Sequence, residues 1–294
     1  MDFRIDLYKI FNTVAQCKSF SKAADELFMT QSAISQSIKQ LENSLNISLF
    51  QRTFKGVELT EAGNVLYKCT SSAMELLDTG LLKLKALQDL EEGELKIGAS
   101  DTITSHFLLQ KLEKFHELYP NIKIQVINRV TYETIELLKN GKIDIAFGNL
   151  PIRDESFEII KCMTVHDIFV AGNNYKKYAE KVLSLKELTN LPLILLEKKS
   201  NSRKYIDNIF LKNGYVLKPS IELGAHELLL QLAKINLGIS CVIKEFSKKY
   251  LDNGSLFEIK QKNPIPERGI GYFYSKTLPL TPAMKEFMKF LNSN

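Results

Sequence analysis

Thr30-Gln31-Ser32-Ala33-Ile34-Ser35-Gln36-Ser37-Ile38-Lys39-Gln40-Leu41-Glu42-Asn43-Ser44-Leu45 has two faces at helical spacing. Ile34, Ile38, Leu41 and Leu45 recur at intervals of four, three and four, which is the apolar stripe of a helix. Gln31, Ser32, Ser35, Gln36 and Lys39 lie opposite. Thr30 is placed to N-cap the run, because its hydroxyl can take an amide proton that the first turn leaves unpaired. Upstream, Lys22–Phe28 reads as a short helix capped by Ser21 and burying Ala23, Ala24 and Leu27. Leu7, Ile10, Phe11 and Val14 mark another. A short turn between two helices, the second with short polar side chains outside, is the helix-turn-helix pattern. Phe50 to Leu59 then reads as two extended pieces around Lys55-Gly56, a wing.

Downstream the texture changes. From Ala62 to Leu90 there is no proline, and Leu66, Cys69, Ala73, Leu76, Gly80, Leu84 and Leu87 recur at spacings of three and four. A helix of that length spans roughly 40 Å at 1.5 Å per residue and needs something to cover its stripe. Burial inside one large domain would serve. Its place directly after a helix-turn-helix favours a homodimer or homotetramer with Leu66, Ala73, Leu76, Leu84 and Leu87 on the seam. Beyond Gly93, strand candidates 95–99, 122–128, 143–147, 193–196 and 239–243 alternate with helical stretches 105–118, 131–139, 203–213 and 227–235. That βαβ texture predicts mostly parallel sheet with helices on both faces. Glu158–Ala171 reads as an extended crossover and Gly269–Tyr274 as a return. Two lobes result, about 93–163 with 268–294 and about 164–267, and the cleft between them is a natural small-molecule site.

Length and composition set the outer limits. The 294 residues are 45% hydrophobic and 25% charged, a globular balance that excludes disorder and collagen-like architectures. No run of eighteen apolar residues occurs, and the N-terminus lacks a basic segment followed by an apolar one, so a soluble cytoplasmic protein with no membrane partner is expected. The net charge of +5 divides into +1 over residues 1–60, −4 over 61–163, +6 over 164–265 and +2 over 266–294. The excess therefore lies away from the helix-turn-helix, and DNA binding has to be argued from geometry. With +1 per head, several heads acting together are needed, because affinity grows with the number of phosphates neutralised.

Ser19-Phe20-Ser21-Lys22-Ala23-Ala24, Gln31-Ser32-Ala33-Ile34-Ser35, Leu41-Glu42, Leu49-Phe50-Gln51-Arg52 and Leu59-Thr60-Glu61-Ala62-Gly63 together resemble the N-terminal signature of LysR-type transcriptional regulators. Gly98, Ser100, Asn140 to Asp144 and Leu237-Gly238-Ile239 are similar to landmarks of that family's effector domain. The resemblance implies a winged helix-turn-helix over 1–60, a linker and dimerisation helix over 61–92, and a two-lobed α/β effector-binding domain over 93–294, like a periplasmic binding protein. Asn46, Ser48, Asn236 and Ile243 depart from the Gly, Pro, Gly and Pro usual in the family. Gln36 stands where Arg is frequent, which shifts a base preference from guanine towards adenine.

The candidate DNA contacts are Thr30, Gln31, Ser32, Ser35, Gln36 and Lys39 on the recognition helix, with Arg52 and Lys55 in the wing for phosphate or minor groove. Ser100, Thr102 and Thr131 follow strands and open helices, where hydroxyls and free amides favour an anion. By resemblance the second lobe adds the segment 198–203, with Ser200, Asn201 and Ser202 as contacts. Its charges strengthen the case for an anionic effector. RNA polymerase is a further candidate partner. His106, His116, His166 and His226 form no metal-binding pair, and no nucleophile elbow, P-loop or dinucleotide fingerprint occurs. No metal, cofactor or catalysis is expected. A solute-binding protein and a DNA-architectural protein without ligand control are the alternative functions. Cys162 and Cys241, each in a mostly apolar stretch, are expected to be buried and inert.

Overall fold

The computed structural model describes residues 4–53, 56–88 and 93–293. It divides into two compact units, Met1–Leu84 and Lys85–Asn294.

In the first unit α1 (Ile5–Cys17), α2 (Phe20–Glu26) and α3 (Gln31–Leu45) pack around Leu7, Phe11, Val14, Ala23, Ile34, Ile38, Leu41 and Leu49. α3 starts and stops where its sequence dictates. The Thr30 hydroxyl accepts the Ala33 N–H at 3.3 Å, and Asn46 ends the helix in the left-handed conformation at φ 51. An asparagine tolerates that conformation, so the usual glycine is dispensable. α2 begins earlier than its pattern suggests. Ser19, not Ser21, is the cap, its hydroxyl accepting the Lys22 N–H at 3.3 Å and bringing Phe20 into the helix. β1 (Phe50–Thr53) and β2 (Gly56–Leu59) pair antiparallel as the wing. α4 follows over Glu61–Gln88.

The second unit holds two sheets. β3 (Glu94–Ala99), β4 (Lys123–Asn128), β5 (Ile145–Asn149), β6 (Phe157–Val165) and β13 (Arg268–Ser275) form a five-stranded sheet in the order β4-β3-β5-β13-β6. β7 (Asp167–Ala171), β8 (Val182–Leu183), β9 (Leu193–Leu196), β10 (Ile221–Leu223), β11 (Ile239–Ile243) and β12 (Phe257–Gln261) form a six-stranded sheet in the order β10-β9-β11-β7-β12-β8. Both are mixed rather than mostly parallel, because the strands next to the crossovers run against their neighbours: β13 against β5 and β6, and β7 against β11 and β12. His166 alone separates β6 from β7, so the first crossing between lobes is a single residue.

Helices cover both faces of each sheet. The first lobe carries α5 (Asp101–Ile103), a π-helical turn at Thr104–Leu108, α6 (Leu109–Leu118), α7 (Thr131–Lys139) and the C-terminal α13 (Pro282–Ser293). The second carries α8 (Lys176–Ala179), α9 (Leu185–Thr189), α10 (Asn201–Lys212), α11 (His226–Lys234) and α12 (Lys244–Asp252). Phe115, Phe147, Tyr272 and Phe287 lie in the core on one face of the first sheet, and Phe157 and Phe273 on the other. Phe169 and Phe210 sit under one face of the second sheet, and Leu229, Leu230 and Val242 under the other. The helix expected at 105–118 starts four residues sooner, because Ser100 caps it. The strand expected at 143–147 is observed at Ile145–Asn149.

Candidate functional site

In the head, Gln31, Ser32, Gln36 and Lys39 are exposed along one side of α3, with Ser35 half-buried beside them. The exposed Thr30 has its hydroxyl engaged in the cap and lies 3.0 Å from that of Ser32, which fixes the first turn. The side chain of Arg52 and the whole of Lys55 lie outside the described residues. Nothing in the sequence pattern marks Phe28 as special, yet in the turn before α3 it stands 98% exposed at a left-handed φ of 54, an unusual place for an aromatic ring.

In the second unit, Ser100, Thr102, Thr131, Ser200, Asn201 and Ser202 all line one cavity of about 70 Å³. Three chain segments bring them there. Ser100 follows β3 and caps α5, its hydroxyl facing the Ile103 N–H at 3.5 Å. Thr131 is the first residue of α7 rather than its cap. It is buried, its hydroxyl accepts the Asn149 N–H at 3.4 Å, and its methyl group rests on Gly148, where an added Cβ would come within 2.6 Å of it. Ser200 precedes α10 in extended conformation with no side-chain capping bond, leaving its hydroxyl available. Asn149, Glu197 and His226 add polar groups to the wall, and Ile243 is among its apolar residues.

Ser202 is committed elsewhere. Its hydroxyl accepts from Arg268 Nη2 at 3.0 Å, and Arg268 also donates to Asp167 through Nε at 2.5 Å and Nη2 at 2.9 Å, and to Asn149 Oδ1 through Nη1. One buried guanidinium thus joins the strand starts of both crossings to both lobes. The expected cationic reinforcement of the cavity does not occur. Arg203 is buried and turned away, bonded to Asp207, Glu222 and the Leu196 carbonyl, and among the described residues no Lys or Arg lines the cavity. The +6 of this region lies elsewhere on the lobe. What faces the cavity is a set of hydroxyl and amide groups at helix starts, with Glu197 as the one charged side chain among the described residues lining it.

Two family profiles match the chain. "Bacterial regulatory helix-turn-helix protein, lysR family" covers residues 5–64, and "LysR substrate binding domain" covers 88–294. The chain belongs to the LysR family. It is 30% identical over 278 residues to a probable RuBisCO transcriptional regulator of Cyanidium caldarium, spanning 90% of this chain and 87% of that one. It is 26% identical over 289 residues to the HTH-type transcriptional regulator CysL of Bacillus subtilis, spanning 98% and 97%. Among solved structures it resembles CbnR complexed with its target DNA, with a TM-score of 0.64, 19% identity and 99% coverage of each chain, a likeness of fold. This LysR protein is therefore a DNA-binding transcriptional regulator with an effector-binding domain, and its relatives are regulators rather than enzymes.

The LysR signature residues have physical reasons here. Glu42 on α3 accepts the N–H groups of Leu49 at 2.7 Å and Phe50 at 3.2 Å, pinning the entrance of the wing. Thr60 caps α4 by accepting the Gly63 N–H at 3.0 Å while donating to the Ser48 carbonyl at 2.8 Å. Gly63 must be glycine, because a Cβ there would lie 2.1 Å from the Leu49 carbonyl oxygen. Along α4 the candidate seam residues separate. Leu66 packs on the head's own core, Leu76 is half-buried, Ala73 and Leu84 are exposed, and the side chain of Leu87 lies outside the described ones. Ala73, Leu77, Leu81 and Leu84 make the exposed apolar row, Leu81 and Leu84 each at 60%. Cys241 is buried as expected and Cys162 only half-buried; burial pushes both thiols up, away from the reactive thiolate. No helix among the described residues is long and apolar enough to cross a membrane.

Proposed function

We propose that this LysR regulator reads its operator with α3, pairs through α4, and is controlled by a small anion held between the lobes of its C-terminal unit. The convergence of Ser100, Thr102, Thr131 and Ser200, at the starts of three helical segments, on one cavity carries the effector reading. Unpaired amides and hydroxyls at helix starts stabilise negative charge without a cation. A single charge suits the site, since Glu197 on its wall opposes a second. Titration of the purified protein with short monocarboxylates and inorganic oxyanions, followed by thermal shift, tests this. Ser100→Ala should abolish the shift given by an active anion and leave DNA affinity without ligand unchanged. An undiminished shift would remove Ser100 from the site. Linkage adds a second demand: an anion that alters operator affinity must bind the operator complex more or less tightly by the same factor.

On the DNA side, Gln31→Ala should weaken operator binding by about 1–3 kcal/mol while binding to random duplex stays nearly constant, the mark of a bidentate base contact. Equal losses on both DNAs would assign Gln31 to the phosphates instead. For pairing, the exposed row on α4 favours a second copy of the chain. Leu81→Lys with Leu84→Lys should convert a sedimenting dimer or tetramer to monomer, because the paired seam would then bury unpaired charge. Survival of the oligomer would place the contact elsewhere.

A further inference from the structure

His226 opens α11 and lines the cavity, and only 4% of it is exposed. Its Nε2 accepts the Ile243 backbone N–H at 3.0 Å. A ring nitrogen that accepts carries no proton, so the neutral ring bears its hydrogen on Nδ1. That Nδ1 is buried and has no hydrogen-bond partner among the described residues. Its aromatic neighbours pack around the ring: His106 stacks on Phe246 with centroids 4.7 Å apart and planes 8° apart, and His226 stands edge-on to both. A buried donor left unpaired costs about 1–3 kcal/mol, so an oxygen delivered to it returns most of that amount.

We propose that His226 selects the effector, its Nδ1–H donating to an uncharged oxygen of a short carboxylic acid whose carboxylate sits on the helix starts at Ser100 and Thr131. This rests on the anion reading of the cleft given above. Three observations define the ligand class. The ring is neutral, because burial depresses its pKa to about 4, so it offers a hydrogen bond and no charge. Glu197 on the wall and Glu227 beside His226 oppose a second carboxylate, which makes the second acceptor a carbonyl or hydroxyl. The cavity is about 70 Å³, which at about 10–15 Å³ per water-sized occupant admits roughly five to seven non-hydrogen atoms. A three-carbon 2-oxo or 2-hydroxy acid fits all three conditions.

The test compares two acids of nearly equal size, propionate and pyruvate, by calorimetric titration of the full-length protein. The parent should prefer pyruvate about tenfold, the worth of one buried hydrogen bond. In His226→Phe the preference should fall within about twofold. His226→Gln can accept the Ile243 N–H and still donate, and it should retain the preference. Should the Phe variant not fold, the nitrogen-15 histidine spectrum of the parent decides: pyruvate should displace the Nδ1–H resonance and propionate should not. A pyruvate preference that persists in His226→Phe, or a parent that binds both acids equally, overturns the role of His226 and leaves the anion site standing. If neither acid binds the parent, the inference falls together with the short-carboxylate reading of the cleft.

Discussion

Arg268→Ala is expected to destabilise the C-terminal unit by about 3–5 kcal/mol, the cost of removing one partner of a buried ion pair. The side chains of Arg268 and Asp167 are 2% and 3% exposed, and they meet through two parallel N–H···O bonds. Deleting the guanidinium strands a carboxylate in the interior together with the unpaired side chains of Asn149 and Ser202. Lysine cannot substitute, because a single ammonium does not reproduce the planar fork that serves four acceptor atoms in three residues. Urea unfolding at constant slope measures the loss. The double replacement Arg268→Met with Asp167→Leu separates charge from packing and should recover most of the stability, as a buried pair exchanged for apolar groups usually does. A loss below about 1 kcal/mol in Arg268→Ala, the range of an exposed pair, would mean that water reaches Asp167. The pair also bears on control. Asp167 begins β7 and Arg268 begins β13, so their bond ties the two crossings at the point about which closure of the lobes would turn.

The elements legible in the sequence are those with local causes. α3 runs over Gln31–Leu45 because its cap, its stripe and its left-handed stop are written within seventeen consecutive positions, Thr30 to Asn46. β9 is a short unbroken apolar run, β11 one interrupted only by Ser240, and α7 opens directly after an extended Val130, so their limits can be read off. β5 is harder, since Ile143 is fully buried and looks like strand although the ladder begins at Ile145. In the cleft, Ser100, Thr102 and Thr131 are legible because each stands where a strand gives way to a helix, whereas Ser200 and Ser202 come only from the family resemblance. Arg268, Asn149 and His226 are legible in neither way. Arg268 reaches Asp167 across 101 positions and Asn149 across 119, and the folded sheets alone bring them together. Net charge misleads for a similar reason. Arg203 belongs to the segment expected to bind, yet its side chain is used up by Asp207 one turn along and by Glu222 on the neighbouring strand.

As pH falls from 6.5 to about 4, the C-terminal unit should lose about 3 kcal/mol through His226 alone. Burial, assisted by the nearby His106, holds the folded pKa of His226 at about 4, against 6.5 for the exposed residue. Between those values the unfolded chain takes up a proton and the folded chain does not, so acid favours unfolding. The contribution is complete above pH 6.5, shrinks through the window and is constant again below about 4. At about 1.36 kcal/mol per pH unit, the gap between 6.5 and about 4 gives the figure of about 3 kcal/mol. Asp154, held at about 2 by the Ser156 hydroxyl and Lys139, titrates below this window and does not confuse it. His106 shifts in the same direction by burial and adds a smaller slope of its own. Urea midpoints at closely spaced pH values across the window, compared between the parent and His226→Gln, isolate the effect. The glutamine keeps an acceptor for Ile243 and cannot titrate, so the variant should show a flatter profile, and parallel profiles would mean that the ring is already solvated in the folded protein. An anion that draws an acceptor onto Nδ1 stabilises the neutral ring further, so a bound effector should push the acid transition of the parent lower by more than that of His226→Phe, which keeps only the stabilisation from the carboxylate site.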